Sequence, residues 1–92
     1  MINALVFVRT EIDAVNTVAE ALAAIDGVSE VYSVTGDLDL VAIVRVGDLD
    51  GVSRVVTDRI VHVPGILTTE THVAFRTYSR HDLEAAFSIG LD

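Results

Sequence analysis

Two stretches of this 92-residue chain alternate in hydropathy and yet are apolar on both sides, which restricts its possible folds more than any other feature. In residues 2–9, Ile2, Ala4, Val6 and Val8 form one face, and Asn3, Leu5, Phe7 and Arg9 the other. In residues 38–46, Leu38, Leu40, Ala42, Val44 and Val46 form one face, while Val41 and Ile43 sit on the other between Asp39 and Arg45. A period of two is the signature of a strand. A strand that is apolar on both faces belongs in the middle of a sheet that is covered on both sides.

The intervening segments supply the other elements. Thr10 suits a helix N-cap, with Glu11 and Asp13 in a first turn where the helix dipole favours negative charge. Ile12, Val15, Val18, Ala19, Leu22 and Ile25 recur at helical spacing, and Gly27 suits the left-handed position that closes such a helix. Residues 28–35 are rich in β-branched side chains and contain Tyr32, which predicts a strand. Gly36-Asp37 reads as a tight type II′ turn into the strand at 38–46. Gly47-Asp48 opens a second helix with a stripe of Leu49, Val52, Val55, Val56 and Ile60, stopped by Pro64. Pro64-Gly65 is a turn pair, and residues 66–78 predict a fourth strand. Ser79 and Asp82 resemble a capping box ahead of a short helix bearing Leu83, Ala86 and Phe87 and ending near Gly90.

The order β-α-β-β-α-β is the ferredoxin-like arrangement, an α+β fold with a four-stranded antiparallel sheet. Right-handed crossovers put the first and third strands in the centre, where their two-sided apolar character also puts them. The two helices cover one face of the sheet, with the short C-terminal helix appended. The simplest cover for the other face is the same sheet in a second copy. A sheet-to-sheet homodimer, a dimeric α/β-barrel-like assembly, is therefore expected. No repeat or linker interrupts residues 1–92, so a single domain is expected.

Composition narrows the reading further. Half of the residues, 51%, are hydrophobic and the mean hydropathy is +0.53, more than a solitary domain of this size needs. The net charge is −8, with no lysine, so direct binding to nucleic acid or to an anionic membrane is not expected. The lack of lysine also points to a GC-rich bacterial genome. No signal peptide or run long enough to cross a bilayer is visible, and a cytoplasmic protein is expected. Cysteine is absent, which excludes disulfides and thiol catalysis. His62, His72 and His81 have no spacing that sets two imidazoles on one face of a short element, so no metal site is expected. The serines lack a nucleophile elbow and no glycine-rich phosphate loop occurs, so neither an enzyme nor a cofactor is expected.

The run Val34-Thr35-Gly36-Asp37-Leu38-Asp39-Leu40 and, later, Val63-Pro64-Gly65-Ile66-Leu67-Thr68-Thr69-Glu70-Thr71 carry a more specific signal. In this order on a βαββαβ frame, T-G-x-x-D and P-G-[VI] followed by spaced threonines resemble the effector-binding, or RAM, domain of Lrp/AsnC transcription regulators. The resemblance covers roughly residues 1–78. Full-length members begin with a helix-turn-helix domain, whereas here Met1 begins directly on the first strand, which suggests a stand-alone form. The resemblance implies amino-acid sensing, sheet-to-sheet dimers that assemble into octamers or similar rings, and a ligand held where dimers meet. Full-length regulators of the family are further candidate partners.

For such a ligand, an anion must face the ammonium and donors must face the carboxylate. Asp37 and Asp39 are the candidate anions. The backbone N–H groups around Gly36 and Asp37, in the hairpin that Thr35 opens, and the hydroxyls of Thr69 and Thr71 are the candidate donors, with Tyr32 as an apolar wall. Simpler readings exist for each: Gly36-Asp37 as a plain turn, the threonines as β-formers, and Asp39 as an ion-pair partner of Arg9, Arg45 or Arg76. Two other functions compete with sensing. One is a small ferredoxin-like dimeric enzyme of the monooxygenase or haem-degrading type, disfavoured by the aliphatic filling between sheet and helices. The other is a ligand-free assembly partner of full-length regulators.

Overall fold

A computed structural model describes residues 1–80. In chain order these form β1 (Ile2–Thr10), α1 (Val15–Ala23), β2 (Val28–Ser33), β3 (Leu40–Val46), α2 (Leu49–Asp58) and β4 (Ile66–Val73). A 3-10 turn at Ile60–His62 lies between α2 and β4. The strands make one antiparallel sheet in the order β2-β3-β1-β4. The two central strands are the two that are apolar on both faces, as expected. The ferredoxin-like architecture is thus confirmed.

The core lies on one side of this sheet. Ala4, Val6 and Val8 of β1 and Leu40, Ala42 and Val44 of β3 are fully buried against Val18 and Leu22 of α1, Val52 and Val55 of α2, and Ile60. These aliphatic contacts hold the helices to the sheet, since each buried side chain of this kind is worth roughly 1.5–3 kcal/mol. α2 starts on a capped turn: Asp48 is extended and its carboxylate accepts from the Gly51 N–H at 2.7 Å.

Several local expectations are corrected. Thr10 is the last residue of β1, not the cap of α1, because its backbone is taken up by strand partners. The Glu11 N–H donates to the Gly65 carbonyl at 2.9 Å, which keeps the chain extended past Thr10. α1 therefore begins at Val15 without a side-chain cap, and Ile12, placed by spacing on its apolar stripe, is 98% exposed. Gly27 does take the left-handed backbone, φ +97°, but three residues beyond the end of the helix. The helix closes at Ala24, and a turn from Val28 N–H to Ile25 carbonyl carries the chain into β2. Leu49, also placed on a stripe, is exposed. α2 leaves helical geometry at Arg59, well before Pro64, so that Ile60 turns into the core. Gly65 does adopt the left-handed backbone, φ +96°, where a side chain would also press on Ala14 and Val18. β4 ends at Val73 and not at residue 78; after the Ala74 N–H bonds the Asn3 carbonyl at 2.8 Å, the strand pairing stops. The expected C-terminal helix, with Leu83, Ala86, Phe87, Gly90 and its cap partner Asp82, lies outside the described residues, as does His81.

Candidate ligand site

The segment joining β2 to β3 is wider than the two-residue turn expected from Gly36-Asp37. Ser33 pairs with Leu40 and the Val34 N–H donates to the Asp39 carbonyl at 3.1 Å, so residues 35–38 form a four-residue loop, exposed at 35–37 and half-buried at Leu38. Gly36 sits in it with φ +98° and open space where a side chain would be. Asp39 is the reason the loop stays open. Its N–H donates to the Val8 carbonyl at 3.0 Å, and its Oδ2 accepts the Thr10 N–H at 2.8 Å. Asp39 is thereby bound to the end of β2 and to two positions of β1, and β3 follows β1 from that point instead of closing early on β2.

This bond also identifies the partner that Asp39 requires. Thr10 is only 5% exposed, and the β1–β4 register shifts between Arg9 and Thr10. An unsatisfied N–H there costs about 1–3 kcal/mol, which the Asp39 carboxylate removes. The ion pair with Arg9, Arg45 or Arg76 is not formed: among the described residues none of these arginines lies within salt-bridge distance of Asp39. A carboxylate keeps several lone pairs after accepting one N–H, so the role found here leaves it able to accept from a ligand.

The other candidates sit elsewhere on the sheet. Thr69 pairs with Val8 and Thr71 with Val6, which puts both hydroxyl-bearing side chains on the helix-side face of the β4 edge. Thr69 is half-buried and Thr71 exposed. Tyr32 pairs with Val41 on the opposite face, at the β2 edge. Its phenol is pushed above the ordinary value of 10.0, first by the neighbouring Glu30 carboxylate, with the Arg45 guanidinium opposing. Thr35, Gly36, Asp37 and Asp39 thus cluster at one end of the sheet. Thr68 and Thr69 lie at that same end, two strand spacings from Asp39, roughly 10 Å. One chain does not gather Tyr32 and Thr71 with the loop.

Two polar features had no signal in the sequence. On the open face, His72 Nε2 and Glu70 Oε2 are 3.0 Å apart, and the His72 ring meets Phe7 edge to face at 5.2 Å. Only the register, which pairs Leu5 with His72 and Phe7 with Glu70, makes them neighbours of the apolar band. Asn3 Oδ1, also on a sheet position of β1, is buried without a hydrogen-bond partner. Among the described residues no three histidine or acidic side chains gather to hold a metal ion, and no helix is long and apolar enough to cross a membrane.

Comparison with known proteins adds identity to this geometry. Residues 3–83 match the model of the Lrp/AsnC ligand binding domain. An uncharacterized HTH-type transcriptional regulator of Pyrococcus abyssi is 40% identical over 60 residues, which is 65% of this chain and 40% of that protein. A counterpart in Pyrococcus horikoshii matches to the same extent. The chain therefore spans less than half the length of these curated relatives. The crystal structure of TTHA0845 from Thermus thermophilus is 46% identical, with a TM-score of 0.82 over 87% of this chain and 100% of that one. AsnC of Escherichia coli shares the fold at 19% identity, TM-score 0.79, over 85% of this chain and 53% of its own. So does the regulator NMB0573 of Neisseria meningitidis in complex with L-Met, at 17% identity, TM-score 0.76, over 86% of this chain and 53% of that one.

Proposed function

Because the chain belongs to the Lrp/AsnC ligand-binding domain family, we propose that it senses a free amino acid or a close relative of one. The domain is a regulatory, effector-binding module; the names of its relatives point to transcription control and not to catalysis. The observation that carries the amino-acid reading is the open loop at residues 35–38, exposed at its tip and fixed at its base by the Asp39–Thr10 bond. It offers an acidic group and accessible backbone side by side, the pair of contacts a zwitterion requires. The L-Met held by the Neisseria meningitidis regulator supports that ligand class.

In this reading the site is completed between copies. Two copies stack the open sheet faces, whose centre is Leu5, Phe7, Val41 and Ile43, and dimers assemble further, in a ring such as an octamer, so that a loop of one meets a β4 edge of another. Thr69 and Thr71 then join Thr35, Gly36, Asp37 and Asp39 around the ligand, and Tyr32 lines the rim. Full-length regulators of the family are candidate co-assembly partners. The compartment is the cytoplasm, and with a net charge of −8 the chain acts on DNA only through such partners.

Thermal shift and calorimetry with each of the twenty amino acids at millimolar concentration test this reading. A ligand at a hundred times its dissociation constant adds about 2.7 kcal/mol of stability, so at least one is expected to raise Tm clearly. If none does, the sensor reading is wrong. Asp39→Asn keeps an oxygen for the Thr10 N–H and removes the charge. Affinity is expected to fall about ten- to a hundredfold, with a much smaller change in Tm.

A further inference from the structure

Ile12 stands 98% exposed although its backbone is tightly held. The Ala14 N–H donates to the Glu11 carbonyl at 3.0 Å, so Ile12 and Asp13 are the central residues of a closed turn. That turn is fastened to its surroundings. The Thr10 N–H donates to Asp39 Oδ2 at 2.8 Å, and the Glu11 N–H to the Gly65 carbonyl at 2.9 Å. A second aliphatic side chain is displayed beside it. Arg9 pairs with Thr68 and Thr10 with Ile66, which leaves Leu67 as the extra residue of a bulge, and Leu67 is 59% exposed. A bulge re-aims the side chain at its extra position.

Both residues lie within one amino acid's reach of Asp39. The Cα atoms of Thr10 and Ile12 are at most about 7 Å apart, and Leu67 is one strand spacing, about 5 Å, from the Thr10 backbone that Asp39 bonds. An ammonium sits about 3 Å from a carboxylate that accepts from it, and an apolar wall is touched at about 4 Å, so the side chain of one bound amino acid spans the remainder. The nearest charges are mostly of one sign. Glu11, Asp13 and Asp37 are exposed carboxylates beside Asp39, Arg9 belongs to the open face, and Arg59 and His62 precede the Pro64-Gly65 turn. Hydrated carboxylates attract a cation weakly, whereas covering two exposed aliphatic side chains removes their whole apolar surface from water. A second carboxylate on the ligand would meet like charge.

We propose that Ile12 and Leu67 receive the side chain of the bound amino acid and set its specificity, so that the ligand carries an aliphatic side chain such as that of leucine. The proposal rests on the amino-acid reading of the Asp39 loop and adds which side chain the site selects. It accounts for an isoleucine at a turn position that most residues can occupy and that no described element covers. Ile12 is covered only when the ligand is bound, and it contributes to binding without contributing to the fold.

Calorimetry with leucine, alanine, lysine and glutamate tests this on the unaltered protein and on a variant carrying Ile12→Ala and Leu67→Ala. In the unaltered protein leucine is expected to bind roughly ten- to a hundredfold more tightly than alanine, and more tightly than lysine or glutamate. In the variant the leucine-to-alanine ratio is expected to fall about tenfold, with alanine itself little changed. Both residues are exposed, so Tm of the ligand-free variant is expected to match that of the unaltered protein. Damage to fold or assembly would weaken all four ligands alike, and the ratio therefore isolates the side-chain contact. If none of the twenty amino acids binds, the sensing reading itself is overturned. If an amino acid binds but leucine is not favoured over alanine, lysine and glutamate, the specificity assignment falls and sensing stands. A variant whose leucine-to-alanine ratio is unchanged has that same consequence.

Discussion

On the helix side of the sheet, Ala4, Val6, Val8, Leu40, Ala42 and Val44 are fully buried, whereas Leu5, Phe7, Val41 and Ile43 on the other side remain only half-buried. The two sets come from the same two strands and are equally apolar. What differs is the cover: α1, α2 and Ile60 close one face with side chains from the same chain, and no described element covers the other. Hydropathy alone thus reports that a face will be buried and not by what. The polar residues make the distinction. The helix-side rows end in uncharged residues, Val31 and Ser33 on one edge and Thr69 and Thr71 on the other, while the open rows end in Glu30 and Tyr32 on one edge and Glu70 and His72 on the other, the profile of an interface rim.

The largest effect is expected on the helix side. Leu22→Ala opens a cavity under a fully buried position and is expected to cost about 2–5 kcal/mol, lowering Tm by roughly 10 °C or more in a thermal melt. A severe substitution on the open face has a different result if that face is an interface. Phe7→Asp is expected to leave the far-ultraviolet circular dichroism folded but to shift sedimentation from dimer to monomer, because a lone carboxylate cannot be buried between two sheets. Loss of folding in both variants would mean that the open face is core in the same sense as the other.

The smallest effect concerns the rim. The Glu30 carboxylate beside Tyr32 holds the phenol neutral above its ordinary value of 10.0. A folded pKa above the unfolded one favours the fold below the ordinary value, and that contribution fades as pH rises through the folded pKa. In a Tyr78→Phe background, Glu30→Gln is expected to bring the Tyr32 phenolate transition back toward 10.0 in an ultraviolet titration. An unmoved transition would dissociate the two side chains.

The strand order, the central pair and the two helices were legible because period-two and helical spacing survive in any context. The ends were not. Thr10 has the chemistry of a helix cap and equally that of a strand terminus whose N–H needs an acceptor, and only Asp39, 29 residues later, decides between them. The same bond widened the β2–β3 loop, so the turn residues Gly36 and Asp37 were recognised while their geometry was not. Residues 66–78 are β-formers for most of their length, yet pairing stops at Val73, opposite Ala4, although β1 itself continues to Ile2. For the candidate site, the loop and its threonines could be located from the residues alone, but not that a single sheet spreads them over two edges and two faces.

The position of β1 has a consequence during synthesis. It is made first, and both of its partners are made later: β3 after the first helix and β2, and β4 only near the end of the described chain. At about 5–20 residues per second, this strongly apolar strand waits several seconds at the ribosome before its second ladder can form. Until then one edge of β1 stays open, and the like charge of the acidic residues that follow it from Glu11 onward opposes pairing of that edge with another copy.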